Sequence, residues 1–401
     1  MTNGISEIDF LLIVNRFRKG MQPNIIHREL EQELRKSISQ VFQVTCFTVS
    51  RIWLLSSMRG VGKEVMSITI KDVALRANVS PATVSRVLNQ SKPVSKAIRE
   101  KVMKVVEELD FNPNSVARSL VMKESRLIGV IISSIDNVFI SKFVNIIEEE
   151  FFKHNYTTLL CNTRCDDEIE KDYLRLLKDK YVDGVVLMTS HPKPHQIEFF
   201  EQVEVPAVFA GHTDPTKQFS SVNIDNYQAM YDATRYLLEI GHRRIAFFGG
   251  PHIYRQAMER LSGYKQALAE YGIRCEESLI FANDYDIDHG YENGMALFQR
   301  TDRPTAVCCV SDMVAIGAIK AAEDKGLSVP EDISIMGFDD ILLAKAYRPG
   351  ITTVRQPIQE LSVQAAEMLL QQIRKKEDYV KETRILPHEI IVRGSCMAVT
   401  G

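Results

Sequence analysis

At 401 residues the chain is long enough for two or three domains. Its 45% hydrophobic and 25% charged residues describe an ordinary globular protein, and no apolar run reaches the roughly 20 residues that a membrane-spanning helix needs. The net charge of −3 hides an asymmetry. Residues 66–123 carry ten Lys and Arg against five Asp and Glu, and residues 1–65 carry nine against six, which leaves −11 for residues 124–401. A compact basic module on an acidic body is the footprint of phosphate contact by one end of a molecule.

In chain order, residues 1–65 hold a short apolar patch at Phe10–Val14 and a charge-rich run at Arg28–Lys36. Glu7 and Asp9 ahead of so short a patch do not make a signal peptide. Gly60-Val61-Gly62-Lys63 falls short of a phosphate loop, because its first glycine is misplaced and Glu64 stands where Ser or Thr is needed.

Helical periodicity begins with Ile70, Val73, Ala74 and Ala77, and Asp72 lies in the first turn, where the helix dipole favours a negative charge. Asn78-Val79-Ser80 breaks the pattern. Ser80 is a good N-cap, and Pro81 stands at the first helical position, where its missing N–H costs nothing. The spacing predicts a helix over Pro81–Leu88 that buries Val84, Val87 and Leu88 and turns Pro81, Ala82, Ser85 and Arg86 outward. Small outward side chains followed by an arginine suit a helix lying deep in a major groove. Lys96–Leu109 places Ile98, Val102, Val105, Val106 and Leu109 on one stripe, closing a three-helix core. Residues 112–125 read as a linker in which Asn112 caps a short helix from Pro113. Alone, so short a helix is unstable.

From Arg126 the pattern alternates. Continuous apolar runs occur at Leu127–Ile132, Thr157–Leu160, Gly184–Leu187, Ala207–Phe209, Ile245–Phe248, Ala306–Val310 and Ile333–Gly337. Amphipathic stretches lie between them, among them Val138–Lys153, Glu168–Lys180, Tyr227–Gly241, Arg260–Gly272 and Met313–Gly326. Strands apolar on both faces predict parallel sheets in a doubly wound arrangement, with a cleft at the strand ends. Seven scattered cysteines read as reduced thiols rather than a disulfide framework, and Cys161 and Cys165 have no second pair at zinc-like spacing.

The stretch Thr69–Asn89, TIKDVALRANVSPATVSRVLN, resembles the start of the LacI/GalR family of bacterial repressors, and Asn112–Leu120 resembles that family's hinge helix. The resemblance extends over roughly residues 67–395 through Val222–Asn226, Gly241–Ile245, Arg260–Tyr264, Ser311-Asp312 and Gly337–Asp340. It implies an α/β fold: an N-terminal helix-turn-helix three-helix DNA-binding domain plus hinge helix, then a two-subdomain periplasmic-binding-protein-like doubly wound α/β core. The DNA-binding domain spans 66–111, the hinge and linker 112–125, and the effector-binding and dimerisation core 126–401. Its subdomains are about 126–223 with 356–383 and about 224–355 with 384–401, joined by three crossings. Family members usually begin near the position of Met66, so residues 1–65 are expected to be a misannotated extension or a disordered tail.

By the same resemblance Pro81, Ala82 and Arg86 read bases. Thr69, Ser80, Thr83, Ser85 and Asn89 make phosphate or flanking contacts. The hinge residues Asn114, Ala117, Arg118 and Leu120 enter the minor groove, with Leu120 as the wedge. The matching effector positions are Asp136, Asn137, Phe139, Arg260, Tyr285, Asp312 and Gln356. Fixed polar groups and an aromatic are what a sugar's hydroxyls and apolar face require. After Pro206–Phe209 the chain departs from the family's usual charged residue with Ala210-Gly211-His212, where His212 contacts ligand or Gly211 enlarges the pocket.

The implied function is a cytoplasmic, nucleoid-associated bacterial repressor of carbohydrate-utilisation genes. It would bind a palindromic double-stranded operator as a homodimer, under a sugar or sugar phosphate effector, with no cofactor, metal or membrane. Eight residues after Glu389–Arg393 are too few for a tetramerising helix. A second reading within the class is a carbon-catabolite-type regulator controlled by a phosphorylated carrier protein on Met313–Gly326. A transporter's sugar-binding protein would share the core but not the helix–turn–helix. No Ser–His–Asp motif, complete phosphate loop or metal-ligand cluster points to an enzyme, and Asp339-Asp340 reads as a structural motif.

Overall fold

The computed structural model describes residues 68–89, 93–109, 111, 124–189, 193–214, 217–252, 254–282, 284–375 and 378–399. The expectations for residues 1–65 and for Asn114, Ala117, Arg118 and Leu120 lie outside these residues. The chain forms two compact units that divide after Asn112.

The first unit holds three helices, α1 (Ile70–Arg76), α2 (Pro81–Asn89) and α3 (Lys96–Glu108). Thr69 and Asp72 fasten the start of α1 reciprocally. The Thr69 amide and hydroxyl both donate to Asp72 Oδ2, at 2.8 and 2.7 Å, which holds that carboxyl below its usual range. Asn78 takes φ 49°, a left-handed conformation that asparagine tolerates, and reverses the chain. Ser80 Oγ then accepts from the Thr83 amide at 3.1 Å to cap α2. Val73, Ala74, Ala77, Val84, Val87, Val102 and Val105 form the core. Phe111, which the helical stripes did not include, is 8% exposed and joins them. Ile98 does not: it is 36% exposed, and Leu88 is half-buried.

The second unit is built on two six-stranded sheets. The first contains β1 (Leu127–Ile132), β2 (Thr157–Asn162), β3 (Gly184–Met188), β4 (Ala207–Ala210) and β5 (Ser220–Ile224). Helices α4 (Val138–Lys153), α5 (Asp167–Asp179) and α6 (Pro194–Val203) connect its strands. The chain then crosses to α7 (Asn226–Glu239), β6 (Ile245–Gly249), α8 (Arg255–Glu270), β7 (Ile280–Ala282), α9 (Ile287–Phe298), β8 (Ala306–Cys309) and α10 (Asp312–Asp324). It continues through β9 (Ser334–Asp339), α11 (Leu342–Ala346) and β10 (Thr352–Arg355), and crosses back to α12 (Ile358–Lys375) and β11 (Thr383–Leu386). A third crossing leads to β12 (Glu389–Ile391).

The strand orders are β11-β5-β4-β3-β1-β2 and β12-β10-β9-β8-β6-β7, all parallel except β12, which runs antiparallel to β10. Strands apolar on both faces are covered on both, as in Ile245–Gly249, where every residue is buried. The expected boundary at 383/384 is corrected by the pairing. Arg384–Leu386 align with Val222–Ile224, so they complete the first sheet and the third crossing falls at 387–388. Helix α8 also starts at Arg255 rather than Arg260, which places Arg260 in its second turn. Among the described residues no helix is long and apolar enough to cross a membrane.

Candidate functional site

In the first unit, α2 presents Pro81, Ala82 and Arg86 to the outside, with Ser80 exposed and Thr83 and Ser85 half-buried. Buried Val84 and Val87 set that rotation, since they are the core-facing positions of the same helix. Thr69 is exposed, with its hydroxyl committed to Asp72.

In the second unit, the candidate residues gather where the parallel strands end, the usual place for ligands in open α/β sheets. The loops of the two sheets meet there. Burial pushes the Tyr254 hydroxyl, past the end of β6, up, and Cys165, past the end of β2, adds to that shift across the gap between the sheets. Phe139, in the first turn of α4, packs against cores of both halves.

Arg260 is 6% exposed, and its guanidinium is held on three sides. Nε donates to Asn226 Oδ1 at 2.9 Å, Nη1 donates to the Val310 carbonyl at 2.6 Å, and Cζ lies 3.6 Å from the Phe338 ring centroid. Burial lowers its pKa, opposed by the charge of Asp339. Asp339 ends β9 with φ 114°, and its Oδ1 accepts from Gln356 Nε2 at 2.7 Å. Burial raises its carboxyl from 3.8 to about 6, against the pull of Arg260 and Gln356. Tyr285 completes the group. Its hydroxyl is buried without a hydrogen-bond partner, and burial pushes it up to about 12 with Arg260 pulling the other way. Its ring closes on Gly250, where a Cβ would lie 2.4 Å from Cζ, so a side chain there would displace the tyrosine.

The fold thus brings Arg260, Tyr285 and Gln356 together around Asp339, an acid that the sequence reading set aside as structural. Its place at the end of an interior strand, directly after Gly337-Phe338, was the available signal. Asp312 has the opposite fate. It is 0% exposed, Oδ2 accepts from the Ile341 amide at 2.8 Å, and Oδ1 accepts from Thr353 Oγ1 at 2.6 Å. Both of its oxygens serve the fold. The carboxylate even presses on Gly337, whose Cβ would lie 2.2 Å from Oδ1. Asn137 caps α4, its Oδ1 accepting from the Phe139 and Ile140 amides at 3.0 and 3.2 Å. Asp136 is exposed beside it, and His212 is 7% exposed after β4. Asn226, which anchors Arg260, was not foreseen.

The Asp339 titration gives a testable cost. Its folded pKa lies above the unfolded value, so the folded chain holds that proton more tightly. The associated stabilisation is complete below about pH 3.8 and is lost as the pH rises through about 6, on the order of 3 kcal/mol in all. Asp339→Asn, which cannot ionise, is therefore expected to raise Tm at pH 7 and flatten its dependence between pH 4 and 7. Melting curves across that range check this, and an Asn variant no more stable than the parent at pH 7 would contradict it.

Two family models match the chain. Residues 69–114 match the bacterial regulatory proteins of the lacI family, and residues 234–396 match the periplasmic binding protein-like domain. Over 329 residues the chain is 37% identical to the HTH-type transcriptional repressor PurR of Vibrio atlanticus, covering 82% of this chain and 98% of that one. The chain belongs to the LacI family. As a LacI-family protein it is a DNA-binding transcriptional regulator, and the family is one of regulators rather than enzymes. A crystal structure of the lac repressor dimer bound to operator and the anti-inducer ONPF matches with TM-score 0.74 at 30% identity, covering 82% and 99% of the two chains. The transcriptional regulator CelR–cellobiose complex matches with TM-score 0.63 at 30% identity over the same shares. The helix–turn–helix and the two-sheet core expected from the sequence are both family features here.

Proposed function

We propose that this LacI-family regulator is a cytoplasmic repressor of carbohydrate-utilisation genes, binding a palindromic operator as a dimer, with a sugar or sugar phosphate in the cleft setting the affinity. The observation that carries this reading is the Tyr285 hydroxyl, buried without a partner and within the fields of Arg260 and Asp339. Buried polar groups are nearly always hydrogen-bonded. An unpaired hydroxyl between a cation and an acid is suited to a ligand whose own hydroxyls both donate and accept. The rings of Tyr285 and Phe139 offer apolar cover for a sugar's carbon face. The relatives bound to cellobiose and to ONPF support the same ligand class.

On the DNA side, the small exposed Pro81 and Ala82 let α2 approach the base edges, and Arg86 can donate two bonds to a guanine. Arg86→Ala is expected to weaken operator binding by about 1–3 kcal/mol, roughly 5- to 150-fold, and to relax the preference at one base pair. Selection of binding sites from a random pool checks this. An unchanged preference would remove Arg86 from base reading.

The function itself is tested by fluorescence anisotropy on a palindromic site selected from a random DNA pool, at fixed salt, with and without a panel of sugars and sugar phosphates. Tight, salt-sensitive binding that one compound abolishes or strengthens is the expected result. Folded dimer that binds no DNA selectively would overturn the reading. Selective binding that no sugar alters would overturn its effector half.

A further inference from the structure

Two adjacent acids leave β9 with left-handed backbones, Asp339 at φ 114° and Asp340 at φ 57°. A non-glycine residue in such a conformation is unfavourable by itself and persists only when its surroundings hold it. Asp340 shows what holds this pair. Its Oδ2 accepts from Arg355 Nε at 2.7 Å and its Oδ1 from Arg393 Nη2 at 2.5 Å, and the carboxylate is 11% exposed. Arg393 is itself fixed, its Nη1 donating to the Ile351 carbonyl at 2.8 Å and its amide to Thr352 Oγ1 at 2.9 Å. Arg355 also donates from Nη1 to Glu389 Oε2 at 3.0 Å. The next residue, Gln356, grips Asp339.

Neighbouring residues 355 and 356 therefore hold neighbouring residues 340 and 339. Arg355 and Gln356 stand where the chain leaves β10 for the first sheet's side, and Glu389 stands where it returns. The clamp thus joins the second and third crossings to the cleft acid that acts on Arg260.

We infer that Asp340 is a positioning residue of the effector site: through Arg355 and Arg393 it fixes the backbone that aims Asp339 at Arg260 and Gln356. The inference rests on the reading of Asp339 as an effector contact. Asp340 touches no ligand. It acts through its neighbour, and a loosened clamp frees Asp339 to turn towards water.

The test is a double-mutant cycle on the full-length protein without any ligand. Melting temperatures of the parent, Asp339→Asn, Asp340→Asn and the double variant are followed from pH 4 to 8, and the difference made by Asp339→Asn reports the Asp339 titration in each background. Asparagine and glycine both accept the φ of residue 340, so Asp340→Gly separates loss of the clamp from backbone preference. Positioning predicts that the midpoint, near 6 in the parent, moves by about a unit or more towards the ordinary carboxylate value in both Asp340 backgrounds. A lower Tm with an unmoved midpoint would mean that Asp340 only stabilises the fold, and would overturn the proposal. Titration with cellobiose and ribose as probes then tests the effector reading separately. Binding by the parent that weakens about tenfold in Asp340→Asn supports both proposals, and equal binding by the two proteins overturns the positioning role. Failure of the parent to bind either probe counts against the sugar reading and leaves the cycle's result standing.

Discussion

Arg260→Met is expected to be the most damaging single substitution in the cleft. Methionine keeps the volume of the stem over Phe338 but offers no donor, so Asn226 Oδ1 and the Val310 carbonyl are left buried and unpaired. Asp339 also loses the positive charge that pulls its pKa down. Two stranded acceptors and an uncompensated acid together cost about 3–5 kcal/mol. In a unit of this size that corresponds to a fall in Tm of roughly 10 °C. The same change should abolish any sugar's effect on operator binding at temperatures where the protein stays folded. Thermal melts and the anisotropy assay read both consequences. A variant as stable as the parent, or one still answering to a sugar, would mean that Arg260 is not the anchor its contacts describe.

Asp312 gives the second large effect, and it separates two roles that family likeness confounds. If this carboxyl contacts the effector, Asp312→Asn should blunt the sugar response. The geometry says otherwise. Both oxygens are occupied by the Ile341 amide and the Thr353 hydroxyl, and burial with the charge of Asp339 drives the pKa well above the usual range against the pull of those two donors, so Asp312 has no free carboxylate oxygen to offer a ligand. Asparagine is isosteric, its Oδ1 can still accept from the Ile341 amide, and its amide nitrogen can donate to a turned Thr353 hydroxyl. Asp312→Asn is therefore expected to cost less than about 1.5 kcal/mol and to leave the effector response intact. Asp312→Ala strands two buried donors and should cost about 2–5 kcal/mol. Denaturant unfolding of the pair checks the ratio, and two variants of equal stability would rule out a structural role for the Asp312 hydrogen bonds.

Much of the architecture could be read from the chain. Ser80-Pro81 announces a helix start, and Val84 and Val87 fix its inner face, because capping and periodicity act within a few residues. Strands such as Ile245–Gly249 are apolar throughout, so burial on both faces follows directly. The strand Ser220–Ile224 is another matter. It is wholly buried yet carries two serines and an asparagine, and the serine hydroxyls are met by residues far along the chain, as when Ser221 Oγ bonds Thr383 Oγ1 at 3.1 Å. The cleft was legible in residue type but not in assignment. Asp312 and Asp339 are both acids at the ends of neighbouring strands. What sends one into the fold and the other into the cleft is the positive φ at 339 and the reach of Thr353, neither of which has a local signature.

The pairing of β5 with β11 has a consequence for how the protein is made. Ser221 and Thr383 stand 162 residues apart, so the first sheet lacks its outer strand until almost the whole chain has been synthesised. The three helices of the first unit close over a core drawn, among the described residues, from positions 70–111. Contacts that span long separations form slowly, while local helical ones form fast. On the ribosome, then, the helix-bearing α2 surface matures well before the cleft does. A nascent chain released before residue 383 would carry a finished first unit on a core whose first sheet is still one strand short.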